Sequence, residues 1–171
     1  MRETRRRPVS MGGGLVALVL CAAILVADAV AQAAPPDVLD QSTADSMVQR
    51  CLSRSKPNAW PPFSIAVVDA AGALILLRRQ DGASAITADA ALLKAQTAAR
   101  LGGPTAALVA MSQDAPTRDL MMLLRVTDDP GGMPVKLASR TIGAIGVSGG
   151  SAEQDVECAK VAISDFAAEK K

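Results

Sequence analysis

The residues best suited to chemistry form a polar set around two glycine-containing turns. The set combines a charged cluster after an apolar run, a lysine in an alanine-rich segment and a glycine pair. Its members are Arg78, Arg79, Asp81, Gly82, Lys94, Gly131, Gly132, Met133 and Pro134. Glycine pairs let the backbone approach another group closely. We therefore predict a pocket for a small anionic or polar ligand; the alternative is a surface salt-bridge cluster around a structural loop.

A second candidate is the run 146–150, which matches the G-x-S-x-G pattern of a nucleophile elbow. Its serine would need a general base, usually histidine, and the chain has none. A serine–lysine variant with Lys94 or Lys160 is the remaining enzymatic alternative. The run also lacks the βαβ surroundings of a dinucleotide site. We interpret it as a tight turn into the last helix, where the N–H groups near Gly149 are candidate anion contacts.

Several other chemistries are excluded by composition. The chain has no histidine and no tyrosine, and its aromatic residues are one tryptophan and two phenylalanines. Zinc sites usually need closely spaced histidine and cysteine, and single-stranded nucleic acid needs stacking rings and positive charge. We therefore predict no catalytic residues and no nucleic-acid partner.

The first 33 residues are predicted to be a secretory signal. Arg2 and Arg5 to Arg7 precede an apolar run, and small residues follow it, so cleavage after Ala31 or Ala33 fits. An uncleaved membrane anchor is the alternative. Residues 34–171 then form a single domain with 14 basic and 15 acidic groups, which attracts neither nucleic acid nor an acidic membrane surface. The predicted location is periplasmic or secreted.

Two cysteines, Cys51 and Cys158, remain after processing. An oxidising compartment allows them to pair if their helices lie side by side. Two buried free thiols are the alternative.

The elements that must position these residues follow from periodicity and turn signals. We predict a helix, a hairpin, a second helix, an irregular segment, a second hairpin and a last helix that opens with the capping box Ser151–Gln154. The irregular segment, 105–125, is predicted as one or two short helices or a helix and a strand. Because strands and helices do not alternate, this order indicates an antiparallel sheet with helices packed on it, an α+β fold.

Four stretches of the chain together resemble the GlcG/HbpS-like haem-binding family. They are Phe63 to Ala83, Leu93 to Ala99, Gly131 to Val135 and Ile142 to Gly149. The resemblance implies a profilin-like three-layer α/β/α fold with a central antiparallel sheet, often assembled into homo-oligomers. It also implies haem or a related tetrapyrrole as the ligand. We expect Arg78, Arg79 and Lys94 to contact the anionic groups of such a ligand.

One departure from the family concerns the iron. Ala73 stands where the family often has histidine after the glycine of the first turn. Haem iron is usually held by His, Cys, Met or Tyr, so Met133 is the candidate metal ligand. Two alternatives remain: an enzyme or accessory protein acting on a small organic acid through Lys94 and Asp81, or a structural oligomer with a vestigial pocket.

Overall fold

The computed structural model describes the backbone of residues 38–169 and the side chains as far as Ser164. The predicted signal and its cleavage site lie outside these residues. The described part contains α1 (Gln41–Ser55), β1 (Ser64–Asp69), β2 (Leu74–Arg79), α2 (Ala85–Leu101), α3 (Ala115–Leu123), β3 (Gly132–Leu137), β4 (Arg140–Ser148) and α4 (Ala152–Glu169). Short 3-10 turns occur at Lys56–Asn58, Thr105–Leu108 and Met111–Gln113. The predicted α+β class is confirmed.

The four strands form one antiparallel sheet in the order β2-β1-β4-β3. The turn between β1 and β2 is built by Asp69, whose carboxylate accepts the N–H groups of Ala71 and Ala73 at 2.9 Å each. Gly72 completes that turn with a φ of +85°, a conformation that glycine adopts without steric cost.

Helices cover both faces of the sheet, which gives three layers. On one face, α1 and α4 enclose a core of branched aliphatic side chains that includes Val48, Ile65 and Ile145. On the other face, α2 packs through alanines against Ala66 and Ala144. Small side chains on both partners bring α2 close to β4, and the core on this face is correspondingly thin.

The structure joins Cys51 of α1 and Cys158 of α4 in a disulfide, with the two Cα atoms 4.8 Å apart. Both residues are fully buried. The open question of their pairing is thereby answered in favour of the disulfide.

The segment that the sequence left undecided, 105–125, contains two 3-10 turns and α3, and no strand. The predicted capping box of α4 is present: the Ser151 N–H donates to Gln154 Oε1 at 2.9 Å, and the Gln154 N–H donates to Ser151 Oγ at 3.3 Å. None of the helices within residues 38–169 is long and apolar enough to cross a membrane.

Candidate functional site

Lys94 lies inside the protein, with 1% of its surface exposed. Its ammonium donates to the Val147 carbonyl and to Asp155 Oδ2 at 3.0 Å each, and pairs with Asp129 Oδ2 at 2.9 Å. A lysine ammonium has three N–H donors, and three oxygens surround this one. We call Lys94, Asp129 and Asp155 the Lys94 cluster. It ties α2 to the end of β4, the start of α4 and the loop before β3.

The two carboxylates of the Lys94 cluster differ in their surroundings. The Asp155 side chain is 5% exposed and the Asp129 side chain is 55% exposed. Burial raises the pKa of the Asp155 carboxyl above its ordinary value, although the Lys94 ammonium and the Gly150 N–H favour the charged form. Asp129 is therefore the member through which the cluster meets solvent.

Gly131 and Gly132 allow the chain to pass close to this cluster. Gly131 has a φ of +120°, and a Cβ there would lie 2.6 Å from the Val147 carbonyl oxygen. A Cβ on Gly132 would lie 2.5 Å from both the Lys94 carbonyl oxygen and Thr105 Cγ2. The close approach predicted for this glycine pair is thus made to the protein's own backbone.

The charged residues at and just after the end of β2 lie in a different place. They line a groove of about 510 Å³, which we call the Trp60 groove. Its lining residues are Leu52, Lys56, Trp60, Pro62, Arg78, Arg79, Gln80 and Asp81. Gly82 follows directly, with a φ of +84°. The structure thus keeps Arg78, Arg79 and Asp81 together and places Lys94 elsewhere.

The remaining predicted residues belong to strands and turns. Met133 is half-buried and packs against the core between the sheet and helices α1 and α4, and Pro134 is buried opposite Ala144. Gly149 has a φ of +131°, and a Cβ there would lie 2.8 Å from Phe63 Cα. Their roles in binding a ligand or a metal stay predictions.

The N-terminus of α4, a candidate anion contact, is occupied by its own side chains. Besides the capping box, the Gly150 N–H donates to Asp155 Oδ1 at 3.0 Å. The Gly149–Gly150 turn therefore connects the helix start to the Lys94 cluster.

A second groove was not predicted from the sequence. A groove of about 740 Å³ lies between α2 and α3, and we call it the α2–α3 groove. Its lining residues are Ile86, Asp89, Ala90, Leu93, Ser112, Arg118, Met121, Met122, Arg125, Val126, Thr127 and Asp128. The signal that could have indicated it is the spacing of Arg118 and Arg125 around the apolar cluster 120–124.

The floor of the α2–α3 groove is fixed by the loop that follows α3. The Thr127 N–H donates to Thr97 Oγ1 of α2 at 3.2 Å, and the Ser112 hydroxyl donates to Asp128. Asp128 lines the groove and the next residue, Asp129, pairs with Lys94. The groove and the Lys94 cluster are thus neighbours along the chain.

The donors available to a metal are few. No group of three or more His, Cys, Asp or Glu side chains lies together among the described residues. The two cysteines of the described region are joined as a disulfide, and the chain lacks histidine and tyrosine. Of the usual haem ligands, only methionine remains among residues 38–164, and Met121 and Met122 both line the α2–α3 groove.

Comparison with known proteins agrees with this architecture. The family model described as "Haem degrading protein HbpS-like" matches residues 39–164. The chain belongs to the HbpS-like family. Among curated relatives, the protein GlcG of Escherichia coli K12 is 34% identical over 111 residues, which is 65% of this chain and 81% of GlcG.

Two solved structures share the fold over nearly their whole length. The Klebsiella pneumoniae protein ORFY superposes with a TM-score of 0.72 and 28% identity, covering 80% of this chain and 96% of ORFY. A PduOC–haem complex superposes with a TM-score of 0.69 and 27% identity, covering 74% of this chain and 94% of PduOC. The HbpS-like membership and the three-layer fold implied by the sequence are confirmed.

Proposed function

We propose that this protein is an exported member of the HbpS-like family that binds haem or a related tetrapyrrole in the α2–α3 groove. The observation that carries the proposal is the composition of that groove. Apolar walls, two arginines and two methionines line a single space of about 740 Å³. This volume lies within the range of small-molecule sites, which are mostly apolar with a few placed polar groups. The haem complex of PduOC, a structure of the same fold, supports the ligand class.

Each part of a tetrapyrrole has a matching part in the groove. Ile86, Leu93 and Val126 offer apolar surface to the macrocycle, and burial of such surface favours binding. The guanidinium groups of Arg118 and Arg125 offer charge-assisted hydrogen bonds to propionate carboxylates. Asp89 and Asp128 also line the groove, so we expect the propionates to lie toward the arginines and away from these two carboxylates.

The iron would be held by a methionine thioether. Met121 is 9% exposed and Met122 is 70% exposed, so Met122 is the methionine that is free to turn toward a ligand. Methionine ligation raises the potential of a haem, which means that the ferrous form is held more tightly than the ferric form. We therefore expect haem to bind more strongly after reduction.

The same proposal includes export and self-association. The Cys51–Cys158 disulfide suits an oxidising compartment, as the predicted signal over residues 1–33 requires. Four apolar residues of α3 and the position after it are 51–80% exposed: Leu120, Met122, Leu123 and Leu124. They offer an apolar surface for a homo-oligomer. Light scattering of the mature protein measures the oligomer size, and sequencing its N-terminus locates the cleavage site.

Haem titration followed by absorbance tests the ligand and its place. Haemin should give a saturable Soret shift, and Met122→Ala or Arg125→Ala should weaken the apparent Kd about tenfold, the loss expected for one ligand or one charge-assisted contact. Met111→Ala is the matched control, because Met111 is 54% exposed and does not line the groove.

Three outcomes would contradict parts of the proposal. A titration without a Soret change removes haem. A Soret shift that survives both groove substitutions moves the site elsewhere. Loss of the shift in Met133→Ala alone assigns the iron to β3, as the sequence suggested.

A further inference from the structure

The Trp60 groove has an excess of positive charge that the rest of the chain does not share. The whole sequence is nearly balanced, with 18 basic and 17 acidic residues. In contrast, the residues that line the groove include three basic residues, Lys56, Arg78 and Arg79, and a single acidic residue, Asp81. Its positive character is therefore local.

Two of these cations have no anionic partner in the part of the chain that the structure describes. Throughout residues 38–164, no carboxylate oxygen lies within ion-pair distance of Lys56 or Arg78. Arg79 donates one guanidinium N–H to the Ala83 carbonyl at 2.9 Å, which orients it and leaves further donors. Charged groups of this kind are available to an anion from solvent.

Internal hydrogen bonds hold the walls of the groove in place. The Phe63 N–H donates to Gln80 Oε1 at 2.9 Å, and the Gln80 N–H donates to the Phe63 carbonyl at 3.1 Å. At the end of α1, the Ala59 and Trp60 N–H groups cap the carbonyls of Lys56 and Ser55. These bonds satisfy the polar backbone, so side chains decide what the groove recognises.

One side of the groove is apolar. Trp60 is the only tryptophan in the chain and is half-buried there, beside Leu52 and Pro62. An indole ring beside cationic groups suits a planar ligand that carries negative charges at its edge, because the ring stacks on the plane while the cations meet the charges.

We propose that the Trp60 groove is a second binding site, specific for small planar polycarboxylates. Its volume of about 510 Å³ suits a small molecule. The site is lined by none of the residues of the α2–α3 groove, so it stands independently of haem binding there.

Fluorescence of the intact mature protein tests this site directly. Because the chain has one tryptophan and no tyrosine, its emission reports on Trp60 alone. Benzene-1,2,4,5-tetracarboxylate, with correction for its absorbance, should change that emission saturably. Lys56→Ala and Arg78→Ala should each weaken the apparent Kd about tenfold, whereas Arg125→Ala, in the other groove, should leave it unchanged.

The alternatives give distinct results. No saturable change in Trp60 emission overturns the site. Equal binding of inorganic phosphate overturns the specificity for a planar ligand, and equal losses in the Arg125→Ala control show a general charge effect. Unchanged binding in both Lys56→Ala and Arg78→Ala removes the assignment to this groove, whether or not haemin gives its Soret shift.

Discussion

Replacement of Lys94 by methionine should lower the free energy of unfolding by about 3–5 kcal/mol. Methionine has an unbranched stem like that of lysine but no donor. The substitution therefore leaves the Asp155 carboxylate, 5% exposed, without its cationic partner and the Val147 carbonyl without its donor. A buried charge that loses its partner is among the most destabilising changes in a protein.

The lower end of that range is the more reasonable expectation, because Asp155 keeps one hydrogen bond from the Gly150 N–H at 3.0 Å. Asp129 contributes little to the loss, since its side chain is 55% exposed and returns to water. The control Asp129→Asn should consequently cost no more than about 1 kcal/mol. The double variant Lys94→Met/Asp155→Leu should recover part of the loss, because it removes both buried charges.

The penalty should shrink on acidification. In the native protein, burial already raises the pKa of Asp155 above the value of 3.8 that the group has when unperturbed. Without the Lys94 charge, that native pKa rises further. A raised native pKa stabilises the fold below the unfolded pKa, and this contribution is lost as pH rises through the native pKa. The gap between Lys94→Met and wild type should therefore be largest at neutral pH and smaller near pH 4.

Urea unfolding followed by far-ultraviolet circular dichroism at both pH values measures this gap. A difference below about 1 kcal/mol at pH 7 would show that the Lys94 cluster contributes little net stability. A gap that widens toward pH 4 would refute the assignment of the penalty to a buried, charged Asp155.

Two further predictions concern the scaffold. Reduction of the Cys51–Cys158 disulfide, which spans 107 residues of sequence, should lower the free energy of unfolding by about 2–5 kcal/mol. The midpoints of guanidinium unfolding with and without reductant measure this loss. A Cys51→Ser/Cys158→Ser variant is the control and should not respond to reductant. Gly146→Ala should cost about 1–3 kcal/mol or more, because its Cβ would lie 2.5 Å from the Ala95 backbone nitrogen. Thermal unfolding measures this loss. Gly103→Ala is the control and should melt near the wild-type temperature, because its Cβ would lie 3.6 Å from Leu101 Cγ. Equal melting temperatures for Gly146→Ala and Gly103→Ala would contradict the close packing of α2 on β4.

The sheet and its flanking helices were predictable because their signals are local. The second helix of the predicted order is present as α2, and it ends before Gly102, which has a φ of +63°. The two hairpins follow from short apolar runs on either side of turn residues such as Asp69 and Gly72. For α2 and for each strand of the hairpins, the sequence between two turns is long enough for only one helix or strand.

The segment 105–125 was not predictable to the same degree, for a physical reason. Periodicity indicates a helix when one face is buried, but Leu120, Met122 and Leu123 of α3 are 53%, 70% and 80% exposed. Only Met121 of that helix is buried. The apolar residues therefore do not separate into a buried and an exposed face, and hydrophobic periodicity does not indicate the groove that α3 borders.

The sequence singled out Lys94 correctly as unusual but could not reveal its partners. A lysine among alanines is equally consistent with a ligand contact and with an internal ion pair, and its partner Asp155 lies 61 residues further along the chain. The two meet only because the end of β4 and the start of α4 pack against α2. For Arg78 and Arg79 the situation is reversed, since they are consecutive residues at the end of β2 and are neighbours along the chain in any fold.

The internal ion pairs of Lys94 determine how binding experiments on the chain must be interpreted. Asp128 lines the α2–α3 groove, and the adjoining Asp129 pairs with Lys94. A substitution that removes the Lys94 ammonium therefore releases the Asp129 side chain, which adjoins the groove residue Asp128. Weaker haem binding by Lys94→Ala would follow from that release alone and would not identify Lys94 as a ligand contact. Arg125 makes no hydrogen bond or ion pair through its side chain in the described part of the protein, so a change at this position reports on the ligand itself. A change at Met122 must be interpreted together with the oligomer size, because Met122 also belongs to the exposed apolar surface of α3.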